Sequence, residues 1–184
     1  MRLFFVDEMR YGLMSNVRRS WSAIGTRTVY QNQQEFSNRY LYTAIDPIIG
    51  ESFHIMDFDD ASTQQTDIFL YALQEEYPDD HLVIVWDKAP FHKPKILQKK
   101  HMTIIFLPSY SPQLNPVERF FGEMRKFTAN KIFRDGMEAL SKTVEKGVLK
   151  LSKDKEAVKQ LTGYDWILEQ WKTISEWMIV RNDS

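Results

Sequence analysis

With 184 residues, of which 43% are hydrophobic and 14% aromatic, the chain is long enough for one domain with a sizeable core and too apolar to be disordered. A net charge of −1 excludes a uniformly basic nucleic-acid binder, so any grip on phosphates has to come from local clusters of Lys and Arg. Without cysteine there are no disulfides or thiolate zinc sites, and no apolar run reaches signal-peptide or membrane-spanning length, which points to a cytoplasmic protein with no membrane partner.

The apolar run Leu3-Phe4-Phe5-Val6, closed by Asp7, predicts a first strand over 2–6. Residues 39–45 and 51–56 predict two more strands, turned at Asp46-Pro47 to Gly50, which together make a meander. Ser62 or Thr63 can cap a helix that carries Ile68, Phe69, Ala72, Leu73 and Tyr77 on one face and ends at Pro78-Asp79-Asp80. A fourth strand over 81–86 closes on Asp87, a short helix follows from about Pro94 to Lys100, and a fifth strand covers 102–107. Pro116 suits the first turn of the next helix, which puts Glu118 where the partial positive charge of a helix end favours an ionised carboxylate. Beyond it, Met137, Leu140, Val144, Val148 and Leu151, then Ile167, Trp171, Ile174 and Met178, step by three and four. They predict two amphipathic helices, broken at Gly163 and enriched by Trp166 and Trp177. These stripes complete the core, or in the alternative form a homodimer contact. The expected fold is α/β: a mixed five-stranded sheet flanked by helices, with a core over 1–130 and extra C-terminal helices over 131–184 packed on it.

Three acids, Asp7, Asp87 and Glu118, close or open core elements, and carboxylates at the ends of adjacent strands converge in one crevice. Such a set, without sulfur, suits Mg²⁺ or Mn²⁺. Their mutual repulsion without metal would make Asp87→Asn stabilising. Glu8 and Glu123 are second choices as ligands, because neither shares the face of its neighbour. Asp57, Asp59 and Asp60 lack the Gly and Glu of an EF-hand loop and read as turn and cap residues, while His54, His81 and His101 read as surface or strand-end residues. Basic residues flank each acid: Arg10, Arg18, Arg19 and Arg27 near the first, His92, Lys93, Lys95, Lys99, Lys100 and His101 after the second, and Arg119, Arg125, Lys126, Lys131 and Arg134 after the third. That recurrence favours a DNA groove over an ordinary solvated face. His92 either contacts a scissile phosphate or pairs with backbone.

The set Phe5-Val6-Asp7-Glu8, Val85-Trp86-Asp87-Lys88-Ala89-Pro90-Phe91-His92-Lys93 and LPSYSPQLNPVERFFGEMRK (107–126) resembles the DDE transposase superfamily, specifically bacterial insertion-sequence transposases related to the mariner group. The resemblance implies a ribonuclease H-like fold, two divalent ions, and cleavage and joining of DNA at transposon ends. Asp7, Asp87 and Glu118 are the implied catalytic and metal-binding acids, and Arg18, Arg19, His92, Lys93, Lys95, Arg119, Arg125 and Lys126 the implied DNA contacts. Only six residues precede Asp7, so recognition of transposon ends is expected to need a helix-turn-helix partner chain. The alternatives are a catalytic fragment, a DNA-binding or oligomerisation module without transposition activity, or a nuclease without strand transfer.

Overall fold

The computed structural model describes residues 1–182 apart from 20, 27, 28, 30, 91 and 93–100, with the backbone alone over 175–182. Strands β1 (Arg2–Gly12), β2 (Asn38–Asp46), β3 (Glu51–Phe58), β4 (Leu82–Trp86) and β5 (Met102–Phe106) build one sheet in the spatial order β3-β2-β1-β4-β5. The β1–β2 and β2–β3 pairs are antiparallel and the β1–β4 and β4–β5 pairs parallel, the mixed sheet of the ribonuclease H-like fold. Helices α1 (Thr63–Glu76), α2 (Val117–Thr128), α3 (Gly136–Ser152), α4 (Lys155–Thr162) and α5 (Asp165–Asn182) complete it.

Strand alternation sorts the apolar residues into two cores. Phe4, Val6, Tyr42, Ala44, Ile84 and Trp86 face Phe69, Leu70 and Leu73 of α1. Phe5, Met9, Leu41, Ile45 and Val85 face Phe120, Phe121 and Met124 of α2, Leu140, Val144 and Val148 of α3, Val158 of α4 and Ile167 of α5. The sheet is therefore covered on both faces, and the C-terminal helices supply much of one covering.

Several expectations need correction. β1 does not stop at Asp7: it continues to Gly12, because β2 pairs with it from Phe5↔Ile45 through Asp7↔Thr43 to Gly12↔Asn38 and the buried Met9 and Tyr11 keep the alternation going. In α1, Ser62 caps as expected, its side chain accepting from Gln65 N, but Leu70 rather than Ile68 completes the inward stripe, and Ile68 is 44% exposed. The C-terminal region holds three helices, not two. Asp154 accepts a hydrogen bond from Ala157 N and starts α4, a signal that the longer stripes on either side concealed, and Gly163 caps its far end. The first turns of α5 reach the core through Ile167 and Trp171; Ile174 is exposed, and the side chains of Trp177 and Met178 lie outside the described residues. The helix expected near 94–100 also lies outside them.

Two polar residues read as surface or turn are structural. His54 is stacked on Phe120 of α2 and hydrogen-bonded to Thr43 Oγ1 (3.0 Å) and Ser152 Oγ (2.9 Å); burial pushes it down to about 3, so it is neutral. Asp57 lies inside β3 with φ of 64°, where Oδ1 accepts from Tyr11 Oη (2.7 Å), Arg39 Nη1 (2.9 Å) and Ser141 Oγ (2.5 Å), tying α3 to the sheet. Gly50, with φ of 74°, lets the β2–β3 turn touch α4: a Cβ there would lie 1.9 Å from the Lys155 carbonyl oxygen.

Candidate active site

The parallel ladder between β1 and β4 closes at the pair Phe5 and Val85. Asp7 and Asp87 stand two residues further along each strand, so pleat and register send both toward the face that carries Phe5, Val85 and α2. From that face α2 presents Glu118 in its first turn, after a Pro116 whose φ of −65° already suits a helix start. All three acids line one open cavity of about 390 Å³, walled by Lys88, Ala89, Asn115 and residues 107–112. Glu8 and Glu123 do not line it.

Asn115, which sequence reasoning passed over, sets the distance between two of these acids. It is 3% exposed; its Nδ2 donates to the Val6 carbonyl (2.9 Å) and its Oδ1 accepts from Val117 N (3.2 Å). The start of α2 is thereby pinned to β1 beside Asp7. The signal available in sequence was an Asx residue immediately before Pro116, a common cap position. At the rim, Tyr110 is fully exposed with φ of 60°.

The acids differ in electrostatic setting. Burial pushes the Asp7 carboxyl well above its ordinary range, and the charges of Glu8, Glu118 and Asp87 push the same way, against one hydrogen bond from Glu8 N (2.9 Å). Asp87 is lowered, chiefly by its hydrogen bond with His92. His92 is buried, with Nδ1 2.6 Å from Asp87 Oδ1 and 3.0 Å from the Asp87 carbonyl, and Nε2 2.9 Å from Glu8 Oε1. All three partners accept, so both ring nitrogens donate. Burial lowers the imidazole, but Asp87 and Glu8 overcome that and raise it to about 9, leaving it a cation at neutral pH. The buried ring is thus engaged within the chain at both nitrogens.

The other expected DNA contacts are dispersed. Arg119 lies over the Tyr164 ring, 4.2 Å from its centre, and reaches the Leu161 carbonyl; Lys126 pairs with Glu123 (2.6 Å); Arg125 Nη1 is 3.6 Å from Glu118 Oε2. Arg18 is half-buried and Arg19 exposed, while Lys93 and Lys95 lie outside the described residues. Lys88, not among the residues expected to bind DNA, is the cation on the cavity wall among the described residues.

As a place for a cation, the cavity offers hard carboxylate oxygens and, in Asp7, a buried acid whose charged neighbours share its sign. This donor set fits Mg²⁺ or Mn²⁺. Among the described residues no group of three His, Asp or Glu side chains is drawn close enough to form a finished cation cage. No helix among the described residues is long and apolar enough to cross a membrane.

Residues 2–140 match the family described as DDE superfamily endonuclease. Over 57 residues the chain is 42% identical to an uncharacterised protein of Sinorhizobium fredii, covering 30% of this chain and 42% of that one. The Mos1 transposase in its paired-end complex with the left transposon end superposes with a TM-score of 0.67 at 19% identity, over 93% of this chain and 53% of that one. The catalytic domain of Mos1 mariner transposase gives 0.61 at 18% identity, over 93% of this chain and 79% of that one. The chain thus spans about half the length of the Mos1 transposase chain in the paired-end complex. The structural likeness establishes a shared ribonuclease H-like fold, and with the sequence match running from β1 into α3 the chain belongs to the DDE superfamily endonucleases.

Proposed function

We propose that the chain is the catalytic domain of a metal-dependent DNA transposase, which cleaves phosphodiester bonds at transposon ends and joins the 3′-hydroxyl ends to target DNA. The observation that carries this reading is the meeting of Asp7, Asp87 and Glu118, from three separate elements, in one open cavity. Family membership supports it, as do Mos1 paired-end complexes with Mn and with Mg, at TM-scores of 0.66 and 0.65. Asp7, Asp87 and Glu118 would hold two Mg²⁺ or Mn²⁺ ions. Such ions, when bound, lower the pKa of the attacking hydroxyl and stabilise the leaving oxygen of an in-line displacement.

The chain's own residues supply the positioning. Asp87 enters with Oδ1 held by His92 and Ala89 N, and its Oδ2 has no hydrogen-bond partner among the described residues. Glu118 is carried on a helix start that Asn115 fixes to β1, so its distance from Asp7 is set by the core. Lys88 on the wall offers a cation to a phosphate, and Arg18, Arg19 and Arg125 extend the path for the backbone. Recognition of end sequences falls to a helix-turn-helix segment or partner chain, and a dimer would pair two ends on the bacterial nucleoid in the cytoplasm.

The test is a nicking and joining assay, with Mg²⁺ or Mn²⁺, on duplexes taken from the DNA on either side of the gene. Asp7→Ala, Asp87→Ala and Glu118→Ala should each abolish cleavage. Persistent activity in Asp87→Ala refutes the assignment. Pre-cleaved 3′-hydroxyl ends that are never joined would reduce the reading to a nuclease.

A further inference from the structure

We propose that Glu8 is a positioning residue that acts through His92 to fix the orientation of Asp87 for cation binding; this rests on the reading of Asp87 as a metal ligand. Glu8 follows Asp7 in sequence, but alternation along β1 turns it to the opposite face of the sheet, among Tyr42, Trp86 and the apolar residues under α1. Its side chain is 8% exposed there. Burying a carboxylate among aromatic and aliphatic groups is unfavourable unless a hydrogen-bonded partner compensates it, and an apolar residue would pack more simply. The partner is His92, 1% exposed, its ring centre 4.1 Å from that of Trp86.

The segment after β4 is folded back to deliver that ring. His92 N donates to the Ala89 carbonyl (3.0 Å), and Ala89 N donates to Asp87 Oδ1 (3.1 Å), which brings His92 back beside Asp87. The imidazole then spans the two faces of the sheet, with Nε2 anchored on Glu8 and Nδ1 on Asp87. An imidazole anchored at one nitrogen alone can swing or flip about its χ angles; anchored at both, it holds a single orientation. Asp87 is more than half exposed and at a strand end, so its neighbours offer little packing to fix its carboxylate. His92 and Ala89 grip Oδ1, which leaves Oδ2 for the cavity, and Glu8 keeps His92 in place. The expectation that Glu8 competes with Asp7 as a ligand is thus replaced by a supporting role on the other side of the sheet.

The test measures Mn²⁺ binding to the full chain by the electron paramagnetic resonance of the free ion, with folding monitored by thermal melts in chelator. Glu8→Met, close in volume but unable to accept a hydrogen bond, should weaken Mn²⁺ binding by about 10- to 100-fold, the range for loss of a partner behind a ligand. Glu8→Gln, which retains an accepting oxygen at the same place, should bind close to wild type. His92→Phe should show a loss like that of Glu8→Met, and adding Glu8→Met to it should cost nothing further, because the chain of contacts is already cut. A folded Glu8→Met with wild-type affinity overturns the proposal, and so does a fully additive double variant. If Glu8→Met does not fold, His92→Phe decides: wild-type affinity there overturns it. Asp87→Ala separates the two levels: wild-type binding in that variant sinks the metal site itself, whereas impaired binding there beside a normal Glu8→Met sinks only the positioning role.

Discussion

Asn115→Ala should loosen the join between α2 and β1 and, with it, the placement of Glu118. The side chain makes two buried hydrogen bonds, to the Val6 carbonyl at 2.9 Å and from Val117 N at 3.2 Å. Removing it takes away both bonds and strands partners that water does not reach, since Val6 and Val117 are each 0% exposed. At about 1–3 kcal/mol for a buried group left unsatisfied, the variant should lose about 3 kcal/mol. For a chain of this size that is a fall in Tm of about 6–12 °C. Circular dichroism melts measure it, and nicking assays well below the lowered Tm should show a further loss of rate, because Glu118 lies three residues from the lost anchor. Asn115→Asp sharpens the test: it keeps the acceptor for Val117 N but sets an oxygen against the Val6 carbonyl, so it should be at least as harmful as alanine. A Tm unchanged in Asn115→Ala, or an aspartate milder than alanine, would refute the pin.

Asp7→Asn and Asp87→Asn should act in opposite directions on the metal-free protein. Asp7 has a raised folded pKa, so its contribution is lost as pH rises through that value, and Asp7→Asn should raise the neutral-pH Tm in chelator, an advantage that disappears on acidification. Asp87 has a lowered folded pKa, so its contribution is present above the ordinary aspartate range and lost as pH falls; Asp87→Asn should lower the neutral-pH Tm, against the expectation from repulsion alone. Asp46 is 3% exposed and raised by burial from 3.8 to about 6, despite hydrogen bonds from Ile48 N and Ile49 N. Asp46→Asn should therefore gain about 3 kcal/mol at pH 7 and nothing below pH 4 or so in urea titrations; a pH-independent difference would contradict the shift. Gly50→Ala, which combines a positive φ with a Cβ driven onto the Lys155 carbonyl, should lower the unfolding free energy from urea titrations by more than the roughly 1 kcal/mol of backbone strain alone.

Short apolar runs closed by acids made β1 and β4 legible, because burial on both faces leaves a continuous apolar signature. The same signature misled at Asp7: a run that ends at a polar residue looks like a strand that ends there, while the partners that carry β1 on to Gly12, from Tyr42 back to Asn38, lie 34 to 26 residues away in sequence. The three acids could be read from motif and element order. Asn115 and the buried arrangement of Glu8 and His92 could not, since an amide and an imidazole look alike in sequence whether they face solvent or hold two elements together. Asp57 and His54 were misread for the same reason; each acquires one of its partners from α3, 84 and 98 residues further on. The dispersed cations show the opposite limit: clustering in sequence near an acid does not bring Arg119 or Lys126 to the cavity, because helical turns send them to Tyr164 and Glu123 instead.

The match to the family ends at residue 140, inside α3, yet Leu140, Val144, Val148, Val158 and Ile167 continue the wall that closes over Phe120 and Phe121. A boundary drawn where recognisable kinship stops would pass through the middle of an oil-filled layer. A gene trimmed there would encode a sheet whose helix-bearing face is half bare, and an apolar area of that kind recruits other chains as readily as it recruits its own. A catalytic core moved into another gene would therefore have to take the apolar positions of its tail along.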